Sequence, residues 1–169
     1  MTLILRLVLL CAITIPVLPA AEPVLKVVSL EKTLTFTAEN LAALPHMEIV
    51  ALDPHAQKEH RYTGVTVREL LARVGAPLGD KLRGAALQLV VVFRSRDNYA
   101  VAFALADFDE AFSNRTILLA EREDDKPLPE NAVPFRLVAP GDKKAARWAR
   151  MVASIEITPA GVASATAKP

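Results

Sequence analysis

Apolar and polar residues alternate in short blocks along this chain, and the blocks predict strands more often than helices. Residues 24–30, "VLKVVSL", and 33–37, "TLTFT", are β-branched with partial alternation, the pattern of half-buried strands. "MEIVAL" at 47–52 reads as a further strand that ends at Asp53-Pro54. "ALQLVVVF" at 86–93 is a continuous apolar run of strand length, the mark of a central strand. "DNYAVAF", "RTILLA", "FRLVAP" and "MVASIEIT" complete a set of roughly seven strands. Helical signals are fewer. In "TAENLAAL" Thr37 is placed as an N-cap, and Pro45 stops the segment. "TVRELLARVG" is the clearest helix: Thr66 and Glu69 suggest a capping box, Val67, Leu70, Leu71 and Val74 form an apolar face, and Gly75 ends it. "LADFDEAF" and "KKAARWAR" are short helical candidates, while "DPHAQKEHRYTG" and "EREDDKPLPENAVP" read as charged loops. Strands with interspersed short helices and no regular βαβ alternation predict an α+β domain with a mostly-β core.

The first 21 residues stand apart. One cation, Arg6, precedes an apolar run over 7–18 and then Ala20-Ala21. This is the layout of a secretory signal peptide, and about 20 apolar residues are needed for a span. An uncleaved anchor is the alternative. The expected organisation is a signal peptide at 1–21, one domain at 22–158 and a disordered Ala/Thr/Lys-rich tail at 159–169, in a periplasmic or secreted protein with no membrane span after cleavage. Cleavage also changes the chemistry. The chain's single cysteine, Cys11, lies in the leader, so the mature domain carries no thiol for a disulfide, a metal or a nucleophile. The chain has 20 basic and 19 acidic residues, and losing Arg6 leaves 19 of each. That balance argues against nucleic acid as a partner.

Candidate chemistry concentrates in "PFRLVAPGDKKAARWAR" at 134–150. Lys143, Lys144, Arg147 and Arg150 follow a Pro-Gly turn, and Arg136 lies on the strand before it. Arginine suits phosphate or carboxylate because its planar fork donates two parallel bonds. On a helix Lys143 and Arg147 share a face, as do Lys144 and Trp148. Charge patterning alone favours a solvated rim with Trp148 in the core over an anion site. His46, His55 and His60 match no metal-ligand spacing, and no nucleophile elbow or phosphate loop is present, so neither catalytic nor metal-ligating residues are assigned.

Three stretches resemble the sulfite-oxidase-type molybdopterin-binding domain family. "YTGVTVRELLARVG" is similar to its "GVPLRDLL" element, and "RDNYAVAFALADFD" to its "DGY…L…LD" hairpin and helix. "LLAEREDDKPLPENAVPFRLVAPGDKKAARWARMVASIEI" is similar to its closing region. The resemblance covers residues 24–158. It implies a mixed α+β fold around a cleft for the anionic pterin cofactor. Arg136 and Arg147 stand where the family grips that cofactor, with Tyr99 and Trp148 as walls and Lys143 beside them. In the catalytic family a cysteine thiolate ligates molybdenum from the segment before "GVPL". Here that segment, "MEIVALDPHAQKEHRYTG", offers Ala51 and Leu52 and no cysteine. The expectation is therefore an exported domain without standard molybdenum catalysis. It would bind a small anionic ligand or a membrane or periplasmic protein. The alternative is a molybdopterin-dependent oxidoreductase with a non-cysteine metal site. The cofactor stays unknown, with molybdopterin implied only by the resemblance.

Overall fold

A computed structural model describes residues 25–161. The expected signal peptide lies outside the described residues, as does the tail beyond residue 161.

Ten strands and two α-helices follow one another among the described residues: β1 Leu25–Val28, β2 Thr33–Phe36, α1 Ala38–Ala42, β3 His46–Asp53, β4 Lys58–Thr66, α2 Val67–Arg73, β5 Leu89–Ser95, β6 Ala100–Ala104, β7 Leu118–Glu123, β8 Lys126–Pro127, β9 Arg136–Val138 and β10 Val152–Pro159. Four 3-10 turns connect them. One sheet has the order β2-β1-β10-β5-β6, and only its β1–β10 pair is parallel. The second has the order β3-β4-β7-β8, with β9 also on β7. This is the mostly-β α+β architecture that the patterning predicts.

Local chemistry explains the elements. The Thr37 hydroxyl accepts from the Asn40 backbone and caps α1. Thr66 caps α2 by accepting from Glu69 N–H. The expected capping box is only half formed, because the Glu69 carboxylate turns to Arg73, 2.7 Å away on the next turn. Val67, Leu70 and Leu71 are fully buried, as the apolar face requires.

Three expectations are corrected. The polar stretch 53–64 is not a loop: most of it is β4, the partner of both β3 and β7. Its charges alternate with Tyr62, Gly64 and the core, and cross-strand pairing overrides the polar composition. Gly64 is required there, since a Cβ would lie 2.1 Å from the Leu119 carbonyl oxygen. The charged loop after "RTILLA" begins with more strand, as β7 runs to Glu123 and turns through Asp124 and Asp125, both at positive φ, into β8. Finally, "KKAARWAR" forms one 3-10 turn, Ala145–Arg147, rather than an α-helix. Strand β10 also carries regular structure through Pro159, one residue past the expected domain end.

Candidate functional site

The site is built at one end of the second sheet. Strand β9 carries Arg136 into the interior, where its side chain is 5% exposed. The end of β3 brings Asp53 to it, with Arg136 Nη2 donating to Asp53 Oδ2 at 2.6 Å. The end of β7 brings Glu123, which accepts from Nη1 at 3.0 Å. The other Asp53 oxygen accepts from the backbone N–H groups of His55 and Ala56, so this carboxylate is fixed by the turn that follows β3. Burial pushes the Asp53 carboxyl up. The bond from Arg136 and the two backbone donors outweigh burial and hold it below the usual carboxylate range.

Two rings flank the guanidinium, whose carbon lies 5.4 Å from the ring centroids of both Tyr62 and Trp148. The rings meet edge to face at 5.8 Å. Trp148 is held there because Ala149 O accepts from Leu137 N–H and the indole N–H donates to Ala139 O. Burial raises the Tyr62 hydroxyl well above its ordinary range. His60 extends the array outward, with Nδ1 3.3 Å from Glu123 and 2.8 Å from Asp124. Arg136 Nε and the Tyr62 hydroxyl have no hydrogen-bond partner among the described residues.

A cavity of about 310 Å³ opens over this centre. Arg136 and Trp148 form part of its floor, and His55, Asp97, Tyr99 and Arg150 stand around it. Tyr99 is exposed, and its hydroxyl donates to Ala146 O at 2.7 Å. Arg150 makes no ion pair among the described residues, nor do the exposed Arg96, Lys143 and Lys144.

The five residues singled out from sequence are thus divided. Arg136, Tyr99 and Trp148 share the cavity. Arg147 does not line it: its guanidinium is held by Asp142 at 2.5 and 2.9 Å and lies 4.3 Å from the Phe103 ring centroid. Asp142 also accepts from Arg115, which reaches on to Asp107. Lys143 lines a separate pocket of about 340 Å³ with Leu52 and Pro54. The two arginines do not converge on one anion, because a single 3-10 turn does not carry residues 143–150 along one helical face. Arg136 lines the cavity, but both of its terminal nitrogens are already taken by carboxylates.

Sequence reasoning missed Asp53, Glu123 and Arg150 as members of the site. Asp53 read as a strand terminator and Glu123 as part of a charged loop. Asp53 and Arg136 are 83 residues apart, and no local pattern carries such a pairing. Reading 53–64 as a strand would have placed the end of β3 and the end of β7 on one edge.

The two-sheet arrangement with this end-on cleft is a sulfite-oxidase-like fold. The chain belongs to the family described as the oxidoreductase molybdopterin binding domain, matched over residues 14–165. Among solved structures it is similar to the crystal structure of the sulfane dehydrogenase SoxCD from Paracoccus pantotrophus, at a TM-score of 0.59 and 22% identity. That likeness covers 79% of this chain and 37% of the SoxCD chain, so this chain spans well under half the length of that relative. No curated protein matches the chain.

Whether the residues suit the family's cofactor is a question of donors. Residues 25–161 contain no cysteine, and their only sulfur atoms are the thioethers of Met47 and Met151. No group of three or more His, Cys, Asp or Glu among the described residues is arranged to hold a metal ion. Of the two cations that line the cleft, Arg136 is neutralised from within and Arg150 makes no ion pair among the described residues. This donor set does not fit a thiolate-held metal on an anionic pterin. Among the described residues no helix is long and apolar enough to cross a membrane.

Proposed function

We propose that this chain is an exported, non-catalytic member of its family that lacks the molybdenum-ligating cysteine. Its cleft serves as a docking site for a carboxylate, carried by a small acid or by an acidic side chain of a partner. One observation carries the reading: the Arg136 guanidinium is neutralised by the chain's own Asp53 and Glu123. A cofactor phosphate would have to displace the buried Asp53 carboxylate and the partly buried Glu123 carboxylate to reach it. The rim supports the rest. Arg150 is unpaired among the described residues beside Trp148 and the exposed Tyr99, an Arg-plus-aromatic composition typical of recognition surfaces.

The test uses full-length chain expressed in a host that makes molybdopterin. Purified protein is expected to hold no stoichiometric molybdenum and no fluorescent oxidised pterin. It is expected to melt higher with added acetate, and Arg150→Ala is expected to lose that shift. Stoichiometric molybdenum with pterin would sink the reading. It would favour the second one, an oxidoreductase with a non-cysteine metal site, for which the family membership speaks.

A further inference from the structure

One cation of the cavity lining, Arg136, is paired with two anions that do not themselves line the cavity, and this ratio bears on what the cavity accepts. Arg136 donates Nη2 to Asp53 and Nη1 to Glu123, at 2.6 and 3.0 Å. Neither carboxylate is free to leave. Asp53 is pinned by two backbone N–H groups, and Glu123 sits beside His60 at 3.3 Å. The flanking rings of Tyr62 and Trp148 restrict the guanidinium as well. An incoming oxyanion therefore finds no two-pronged donor on the floor, since both terminal nitrogens are taken and the unpartnered Nε is itself buried. Its positive attraction comes from Arg150 on the wall, with Asp97 opposing it.

We infer that Asp53 and Glu123 are specificity-determining residues that restrict this cavity to singly charged anions. The inference rests on the reading that the cavity takes an anion. The physical ground is a difference in scaling. Attraction to a site potential grows in proportion to the charge of the ligand, whereas the cost of desolvating that ligand grows with its square. A strongly positive site favours a dianion, because the attraction is large enough to absorb the fourfold desolvation term. A weakly positive site favours a monoanion. Two carboxylates beside the only floor cation put this cavity in the second class, and exclude sulfate or a phosphate monoester while admitting a carboxylate.

The experiment titrates the full chain and its Glu123→Gln and Asp53→Asn variants with acetate and with sulfate at fixed ionic strength, read by calorimetry and by melting temperature. Glutamine keeps the shape of Glu123 and a carbonyl acceptor for Arg136, and melting curves establish that each variant folds. The unmodified chain should bind acetate more tightly than sulfate. Removing one carboxylate charge from behind Arg136 should move the sulfate-to-acetate affinity ratio about tenfold toward sulfate. An unchanged ratio in folded Glu123→Gln, with acetate still bound, overturns the inference and leaves the anion reading intact. Sulfate binding gained by the variants, where the unmodified chain binds neither anion, upholds the role of the carboxylates and overturns the anion reading. Binding of neither anion by any of the three proteins overturns both.

Discussion

Arg136 and Arg147 come from the same stretch of sequence and face opposite physical problems. Arg136 is 5% exposed, paired with two carboxylates and flanked by two rings. Arg147 is 40% exposed, paired with Asp142 and laid over one ring. In the interior a charge is costly to desolvate, so every group around Arg136 is needed to hold it there. At the surface water and salt screen the pair, and the aliphatic stem and ring contact carry much of what Arg147 contributes. The difference teaches that a cation beside a cleft is not on that account available to a ligand. What decides is how much of its charge the fold has already used.

The largest expected effect tests that contrast directly. Arg136→Ala leaves the buried Asp53 and the partly buried Glu123 without their cation and should destabilise the domain by about 3–5 kcal/mol. Arg147→Ala, also measured by urea unfolding, should cost no more than about 1 kcal/mol. Equal losses would break the comparison. A triple variant sharpens it. Arg136→Met with Asp53→Asn and Glu123→Gln removes all three charges together and should recover much of the loss, because neutral groups of similar volume replace a buried ionic cluster at little net cost.

Next in size is Asp142, whose side chain is 8% exposed and holds both Arg115 and Arg147. Asp142→Asn weakens two charge-assisted bonds at once and should cost about 1–2 kcal/mol, more than Arg147→Ala. If Arg147→Ala costs as much as Asp142→Asn, the Arg115 bond contributes nothing and the outer cluster is a simple pair.

Acid should separate the two regions as well. Against burial, the Arg136 bond and two backbone donors hold the Asp53 carboxyl below its ordinary value of 3.8 in the folded chain. A depressed folded value means that stability is fully present above about pH 4 and is lost as pH falls through the folded value. Denaturant titrations between pH 5 and pH 2 should show this loss, and Asp53→Asn should reduce it while lowering stability at neutral pH, the remainder coming from Asp109 and Asp124, whose carboxyls backbone donors also hold low.

The sequence carried the outline of this molecule better than its centre. The cap hydroxyls of Thr37 and Thr66 and the buried face of α2 are local patterns that appear as read, while the apolar run at 86–93 becomes strand only from Leu89, its first residues closing a 3-10 turn. Strand β4 was illegible because its charges pair across strands with β3 and β7, a context that composition does not contain. The same limit applies to the site. Arg136, Tyr99 and Trp148 could be picked out by type and by resemblance. The partners that set the charge state of Arg136 arrive from β3 and β7, and only the register of the sheet places them. Arg147 was misassigned because the segment around it makes one 3-10 turn, so helical spacing does not apply.

The smallest effect lies at the opposite end of β3, where a histidine meets a carboxylate without an interior to hold them. His46 Nε2 is 3.0 Å from Glu121, and Nδ1 is 2.8 Å from Leu44 O. Partial burial lowers the imidazole, but the hydrogen bond to Glu121, the Leu44 carbonyl and the Glu121 charge together raise it above 6.5. The sign is opposite to that of Asp53. A raised folded value contributes stability that is fully present below pH 6.5 and is lost as pH climbs through the folded value. Unfolding at pH 5.5 and pH 8.5 should therefore show a small decline, a few tenths to about 1 kcal/mol, that disappears in His46→Gln and shrinks in high salt. A decline that survives the substitution would have to come from another group. A decline as large as the Asp53 effect would mean that an exposed pair rivals a buried one, which the contrast between Arg136 and Arg147 forbids.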